Sequence, residues 1–227
     1  MTSLYAKILL DKPEHMAVLF VVYPNIVVLD LVGPLQIFTH ARKGPLSDPA
    51  CHTSIVSGSG GHIGSNTILP VDSDPLEKWL LKPKSSPIHT LVVVGSGGVI
   101  EAALDRLFVE QGKQRADRSV RVCSVCSDAL VIAAAGLLDG RRAVTHWEDC
   151  GQLAREYPTI KVEPDPICIK DGNIGCLRAL IWLKSMACIR EIAHVDTQKL
   201  WVHHQQGPSS LSKSMRHANF LWRPTKT

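Results

Sequence analysis

The sequence predicts an α/β sandwich built on a mostly parallel β-sheet. Three apolar runs lack polar alternation: "AVLFVVY" (17–23), "TLVVVGSGG" (90–98) and "SVRVCSV" (119–125). Such runs are typical of strands that are buried on both faces of a sheet. A helical pattern follows each run after a short connection, and this alternation of strand and helix favours parallel strand pairing.

The first half of the chain adds a helix and a strand to this framework. Pro34 in "DLVGPLQIFTHARK" predicts the first turn of a helix, because proline suits that position. Leu35, Ile37 and Phe38 then face the core. "HTSIVSG" (52–58) predicts a second strand, and the glycine- and serine-rich "GSGGHIGS" that follows it predicts a loop.

The second half alternates in the same way. A polar-faced helix is predicted over 99–115, and "DALVIAAAGLLDG" predicts a helix that ends at Gly140. "WEDCGQLAREY" is amphipathic, and two short strands are predicted around Pro164 and Pro166. Periodicity is lost near Gly175, where the predicted regular structure ends.

Composition restricts the class of protein. The chain has 227 residues, 45% hydrophobic and 20% charged, which suits one sizeable globular domain. No apolar run approaches the roughly 20 residues of a membrane span, and the start lacks a signal-peptide pattern. We therefore expect a cytoplasmic protein without membrane contact. The net charge of +4 is weak support for nucleic-acid binding.

The junction between the run 119–125 and the next helix places a cysteine where α/β proteins carry their sites. Cys126 lies at the predicted carboxyl end of a strand and at a helix N-terminus, where the helix dipole lowers a thiol pKa. Backbone N–H groups of Ser127 and of the glycine loop 95–98 are placed to stabilise an oxyanion. Asp30 follows another strand and is a candidate proton donor or acceptor.

Less specific interpretations compete at each position. Cys126 is also explained as a small buried side chain, and Cys123-x-x-Cys126 has redox spacing, although Cys123 falls inside the predicted strand. His146 is either a ligand-orienting residue or a structural histidine beside Trp147. Neither glycine loop completes a nucleotide-binding pattern, and no second ligand pair suits zinc, so we expect no cofactor and no metal.

Three segments carry a family resemblance: "VVYPNIVVLDLVGPLQIF", "TLVVVGSGGV" and "SVCSDALVIAAAGLLDGRRAVTHWEDCGQLAREYPTIKVEPDPICIKDGNI". They resemble the PfpI superfamily over roughly 16–174, most of all the ligand-sensing domain of AraC-type transcriptional regulators, with isonitrile hydratase as an enzymatic relative. The resemblance implies a three-layer, flavodoxin-like sandwich of the class I glutamine amidotransferase-like type. We expect this domain to span 14–175.

The resemblance also implies roles for individual residues. Cys126 occupies the nucleophile-elbow position, and Asp30 matches the acidic residue that works with the cysteine in isonitrile hydratase. The chain departs from the family directly after the cysteine: Ser127 replaces the histidine of the protease-like members, and Ser127 with Asp128 replaces the threonine and glycine of the nearer relatives. A carboxylate at 128 that points inward raises the thiol pKa.

From this resemblance we expect a ligand-sensing domain of an AraC-type regulator that lacks its DNA-binding half. The alternative is a cysteine-dependent hydratase or hydrolase of the isonitrile hydratase type, with Cys126 and Asp30 as catalytic residues. Gly97, Gly98, Ser127 and His146 would bind the small-molecule ligand. We further expect a homodimer that contacts DNA only through a domain missing from this chain.

The resemblance stops near Ile174, after "DGNI", where this chain reads "GCLRALIWLK". The family continues there with a helix that carries glycine, isoleucine, aspartate, leucine and alanine. With suitable codons for 178–181, the frame that starts at the third base of the Leu177 codon encodes a small residue followed by Gly-Ile-Asp-Leu-Ala. We therefore expect 176–227 to be a divergent, frameshifted tail without helix-turn-helix motifs. Loss of the covering helix predicts a poorly stable product.

Overall fold

The computed structural model describes residues 16–41, 49–80 and 88–178. Over these residues the chain forms an eight-stranded sheet with helices on both faces, and a separate two-stranded sheet. The strands are β1 (Met16–Val21), β2 (Cys51–Ser57), β3 (Gly61–Ile63), β4 (Val71–Pro75), β5 (Ile88–Val93), β6 (Ser119–Val125), β7 (Arg142–Ala143), β8 (Lys161–Val162), β9 (Cys168–Asp171) and β10 (Ile174–Leu177).

The large sheet has the strand order β3-β4-β2-β1-β5-β6-β10-β9. Its central pairs are all parallel, and only the outer pairs β3/β4 and β9/β10 are antiparallel. The mostly parallel α/β sheet predicted from the sequence is therefore confirmed. Parallel pairing brings the carboxyl ends of β1, β5 and β6 side by side, with Val21 opposite Val93 and Val93 opposite Ser124. Ligand sites of open α/β sheets lie at such ends.

Two apolar clusters lie on opposite faces of the sheet and explain the unbroken apolar runs. Leu19 and Val21 of β1 belong to one cluster, and Val18 and Phe20 belong to the other. Each of these side chains is at most 2% exposed, and burial of one such side chain stabilises the fold by about 1.5–3 kcal/mol. A strand that contributes to both layers cannot place polar residues on either face.

Helices complete the three layers. The first helix packs Leu31, Ile37 and Phe38 onto one face of the sheet, and the others contribute to the cluster on the opposite face. They are α1 (Val28–His40), α2 (Glu77–Leu80), α3 (Val99–Leu104), α4 (Arg106–Ala116), α5 (Ala129–Ala134) and α6 (Cys150–Glu156), and a 3₁₀ turn covers Cys126–Asp128.

Three predicted helix boundaries are wrong, each for a local reason. Pro34 lies inside α1 rather than in its first turn, so that it cannot donate the backbone hydrogen bond to the Asp30 carbonyl. The helix predicted over 99–115 is interrupted at Asp105, whose side chain accepts a hydrogen bond from the Phe108 N–H and begins α4. The helix after Cys126 ends before Gly136, where φ is +72°, and not at Gly140.

The edges of the sheet contain structure that the sequence pattern did not predict. The glycine-rich segment after β2 holds β3, which pairs with β4 in an antiparallel hairpin. At the other edge, β10 (Ile174–Leu177) continues past the predicted limit near Gly175 and pairs with β6 and β9.

Residues 179–227, which hold most of the predicted frameshifted tail, lie outside the described residues. Among the described helices, none is long and apolar enough to cross a membrane.

Candidate functional site

The corner between β6 and α5 has a strained backbone at its first residue. Cys126 follows the strand directly and has φ of +63°, in the left-handed region that side-chain-bearing residues rarely adopt. The 3₁₀ turn Cys126–Asp128 then leads into α5. This arrangement confirms the predicted place of Cys126 on a tight strand-to-helix corner. Such strain persists only where the surroundings hold it, and it is frequent at functional sites.

The loop after β7 holds the Cys126 backbone from one side. The carbonyl oxygen of Cys126 accepts a hydrogen bond from Thr145 Oγ1 at 2.9 Å and another from the His146 backbone N–H at 3.1 Å. Thr145 is fully buried, so its hydroxyl has no competing contact with water. Two donors on one carbonyl oxygen fix the peptide group that follows the cysteine.

Asp30 of α1 lies beside this corner. Its side chain is 4% exposed, and its Oδ2 atom has no hydrogen-bond partner within the described part of the chain. Burial raises the pKa of Asp30 from 3.8 to about 6, and hydrogen bonding with the Cys126 thiol opposes that rise. The carboxyl group therefore changes protonation state close to neutral pH, as a proton donor and acceptor requires.

The thiol of Cys126 is much less acidic than its helix-terminal position predicts. Its pKa is raised to about 12, first by burial and then by the negative charge of Asp30, and the hydrogen bond from the Ser127 N–H opposes these effects. The expectation of a lowered pKa is thus wrong, because desolvation outweighs the weak field of the short helix α5. The free site holds a protonated thiol, and a nucleophilic reaction there would need a base.

Gly95 allows Asp30 and Cys126 to approach each other. A methyl group built on its Cα would stand 2.8 Å from the Cys126 Cβ and would overlap the Asp30 carboxyl group. The Gly95 carbonyl also accepts the Val27 N–H at 2.8 Å, which ties the start of α1 to the end of β5. The sequence placed Gly95 in a ligand loop, but it did not indicate that this glycine separates the two candidate catalytic side chains.

The rest of the glycine loop is bonded to the segment after β1. Ser96 Oγ donates to the Pro24 carbonyl at 2.6 Å and accepts the Gly98 N–H at 2.9 Å. The Gly97 N–H donates to the Asn25 carbonyl at 3.0 Å. The N–H groups of both glycines are therefore used inside the protein and cannot serve as the expected oxyanion donors. A ligand-binding role for Gly97 and Gly98 stays a prediction.

The residues directly after Cys126 both point inward. Ser127 is 8% exposed, and its hydroxyl donates to the Ser96 carbonyl at 3.4 Å. Asp128 is fully buried and accepts a hydrogen bond from the Tyr23 hydroxyl. The carboxylates that raise the Cys126 pKa are Asp30 and Asp149, so the expectation that Asp128 does this is wrong.

His146 contacts the corner through its backbone. Its ring is partly buried, with Nδ1 3.9 Å from both Asp149 Oδ2 and Glu148 Oε2, and it packs against the Trp147 ring at a centroid distance of 3.7 Å. These contacts favour the structural role for its side chain. The predicted ligand contact of His146 stays a prediction. Asp149 at the start of α6 is a site residue that the sequence did not indicate.

The redox alternative finds no support in the geometry. Cys123 and Cys126 are both free thiols, and Cys123 is a 5%-exposed residue within β6. Burial raises the pKa of Cys123 to about 12, which disfavours the thiolate that disulfide exchange needs. Within the described ranges, no three His, Cys, Asp or Glu residues are grouped to hold a metal ion.

The chain is similar in sequence to several known proteins. The chain is 35% identical over 150 residues to an uncharacterized protein in the cpoL 5' region of Streptomyces lividans, a match that covers 65% of this chain and 97% of that protein. It is 29% identical to the isonitrile hydratase of Pseudomonas putida, covering 80% of this chain and 74% of the hydratase. With the HTH-type transcriptional regulator CdhR of Pseudomonas aeruginosa it shares 28% identity, covering 63% of this chain and 40% of the regulator. No family model matches the chain.

Solved structures show the same fold. A ThiJ/PfpI family protein from Pseudomonas syringae has a TM-score of 0.65 at 23% identity, covering 89% of this chain and 80% of that protein. An AraC family transcriptional regulator from Pseudomonas putida has a TM-score of 0.59 at 14% identity, covering 90% and 99%. The fold is thus a flavodoxin-like α/β sandwich of the ThiJ/PfpI and DJ-1 type. The chain belongs to the PfpI superfamily, with relatives among the AraC-type regulators and isonitrile hydratase.

Proposed function

We propose that this chain is a ligand-sensing domain of an AraC-type transcriptional regulator, and that its ligand binds at the Cys126 corner. The observation that carries the proposal is the protonation state of the site. The Cys126 thiol has a pKa of about 12 beside the buried Asp30, and the loop N–H groups at 97 and 98 are used internally. A protonated thiol and a carboxyl group bind a small molecule through hydrogen bonds, but they attack it poorly.

Similarity to the regulators supports this assignment. The match to CdhR covers 63% of this chain, and an AraC family regulator shares the fold. Cys126 directly follows β6, and Asp30 lies in the helix that follows β1, so both are at the carboxyl-end edge of the sheet, where sheets of this kind bind ligands. We propose that the ligand forms a hydrogen bond with Asp30 Oδ2, which has no partner among the described residues, and that it contacts the Cys126 sulfur.

The second candidate is a cysteine-dependent hydratase or hydrolase, favoured by the Asp30 pKa of about 6. In that reaction the Asp30 carboxylate would take the thiol proton while the Cys126 sulfur bonds to an electrophilic carbon of the substrate. A π bond of that carbon would break as the carbon–sulfur bond forms, and the Asp30 carboxyl group would give the proton to the substrate atom that takes up the π electrons. Water would then add to the same carbon and displace the sulfur, and the proton that the water releases would return to the thiol. The Ser127 N–H, whose hydrogen bond lowers the thiol pKa, would be the candidate donor to the developing charge.

Ligand binding and turnover are tested on the same four proteins: wild type, Cys126→Ala, Asp30→Asn and, as a control, Cys51→Ala. Cys51 is a buried thiol on β2, away from the corner. Thermal shifts with a panel of small neutral molecules, including isonitriles and amides, report binding, and product formation reports catalysis. Sensing predicts a shift that the two site variants lose and the control keeps, without turnover. Turnover that depends on Cys126 would overturn sensing and support the enzyme.

A further inference from the structure

Asp128 is a buried acid that neither candidate function uses. It is fully buried, and Oδ2 has no hydrogen-bond partner within the described residues. It stands at the N-cap position of α5 but makes no side-chain capping bond, although aspartate normally caps a helix there. Burial raises its pKa well above 3.8, and the charge of Asp149 acts in the same direction.

Tyr23 is the partner that takes the place of the capping bond. Its hydroxyl donates to Asp128 Oδ1, and its ring is 4% exposed and packs edge-on against Phe108 of α4 at a centroid distance of 5.6 Å. Tyr23 follows β1, whereas Asp128 follows β6, and β5 lies between these strands. The hydrogen bond therefore connects the segments that follow β1 and β6, the two strands on either side of β5, at the carboxyl-end edge of the sheet.

A second connection runs parallel to the first. The carbonyl of Pro24 accepts the hydroxyl of Ser96, and the carbonyl of Ser96 accepts the hydroxyl of Ser127. Both residues that follow Cys126 are thus tied to the segment at 23–24. That segment continues into α1, which carries Asp30. The position of the thiol relative to the carboxyl group depends on these connections.

We propose that Asp128 and Tyr23 are positioning residues, whose hydrogen bond holds the left-handed corner at Cys126 and keeps it in register with Asp30. A non-glycine residue at φ of +63° is conformationally unfavourable and relaxes unless its surroundings fix it. The hydrogen bond between Tyr23 and Asp128 fixes the corner after β6 to the segment after β1, on the other side of β5. The inference rests on the proposed function for the importance of Cys126, but its structural content is measurable without ligand.

Alkylation of Cys126 by iodoacetamide, followed by peptide mass spectrometry from pH 6 to pH 10, measures how the corner is held. The variants are Asp128→Ala, Tyr23→Phe and Asp128→Asn, and Tyr157→Phe removes a hydroxyl at the end of α6 as a control. Asp30 and Asp149, the carboxylates that raise the Cys126 pKa, are unchanged in all of them. Burial is the largest cause of that rise, so a relaxed, more hydrated corner ionises more readily.

Asp128→Ala and Tyr23→Phe are expected to speed alkylation at pH 8 by about tenfold, the change that one pKa unit gives. Asp128→Asn should stay within about twofold of wild type, because its side-chain oxygen still accepts the Tyr23 hydroxyl without a charge. A residue needed only for stability would lower the melting temperature and leave the alkylation profile unchanged, which would overturn the proposal. So would an Asn variant that behaves like the Ala variant.

If Asp128→Ala does not fold, Tyr23→Phe decides the question, since it keeps the ring packed against Phe108. Wild-type alkylation in a folded Tyr23→Phe protein would refute the positioning role. Failure of the ligand panel would instead refute the proposed function and leave the alkylation result standing. The two ideas are therefore separately testable.

Discussion

Asp30 lies beside Cys126, although one residue belongs to a helix after β1 and the other to the corner after β6. The proximity couples the two groups: the carboxylate raises the pKa of the thiol, and hydrogen bonding with the thiol limits the rise of the carboxyl pKa. Any chemistry or ligand contact at this site involves both groups. Their ionisation can be changed by single substitutions.

Asp30→Asn should make Cys126 more reactive. The substitution removes the negative charge that raises the thiol pKa, so alkylation by iodoacetamide at pH 8 is expected to increase by about tenfold or less. Asp149→Asn is the matched control: Asp149 also raises the thiol pKa but is the last of its causes, so a smaller increase is expected. Slower alkylation of Asp30→Asn would show that Asp30 activates the thiol instead.

The protein should lose stability as the pH rises from about 4 to 6. Asp30 has a pKa of about 6 in the folded state against 3.8 for an ordinary aspartate. The folded protein therefore binds more protons than the unfolded chain in this window, and the free energy of unfolding falls there by about 3 kcal/mol. The contribution is fully present below pH 3.8 and lost above pH 6.

Urea denaturation across this pH range measures the effect in wild type and in Asp30→Asn, which should show a flatter profile and greater stability at pH 7.5. High salt is the control, because it screens exposed charges far more than a buried carboxyl group. An Asp30→Asn profile as steep as that of wild type would assign the pH dependence to other groups.

The sequence predicted the elements of this site better than it predicted their physical state. β6 has the predicted bounds, and Cys126 and Asp30 fall at carboxyl ends of strands because parallel pairing places them there. The raised thiol pKa depends on how deeply packing buries the sulfur, which local sequence does not encode. The bond between Asp128 and Tyr23 likewise depends on strand order, since its partners are far apart in the chain.

Gly112→Ala should stabilise the protein. Gly112 lies inside α4, where a methyl group on its Cα would meet nothing within 4 Å, and it borders an apolar cavity of about 20 Å³. Alanine is favoured over glycine within a helix by about 1 kcal/mol, so the free energy of unfolding should increase by that amount. Gly136→Ala is the control, expected to destabilise the protein because φ is +72° there. Equal effects of the two substitutions would contradict this prediction.

Gly95→Ala should disrupt the site, whereas Gly97→Ala in the same loop should not. At position 95 a methyl group would overlap the Asp30 carboxyl group and stand 2.8 Å from the Cys126 Cβ, but at position 97 its nearest neighbour, the Asn25 Cβ, is 3.7 Å away. Overpacking of this kind is unfavourable by about 1–3 kcal/mol, whereas a tolerated surface change stays within about 0.5 kcal/mol.

Thermal denaturation measures the stability difference, and the pH profile of Cys126 alkylation reports whether Asp30 has moved from the thiol. If Asp30 is forced away, the profile should shift to lower pH in Gly95→Ala and stay unchanged in Gly97→Ala. A Gly95→Ala protein with wild-type stability and profile would show that the contact between Asp30, Gly95 and Cys126 is not as close as described.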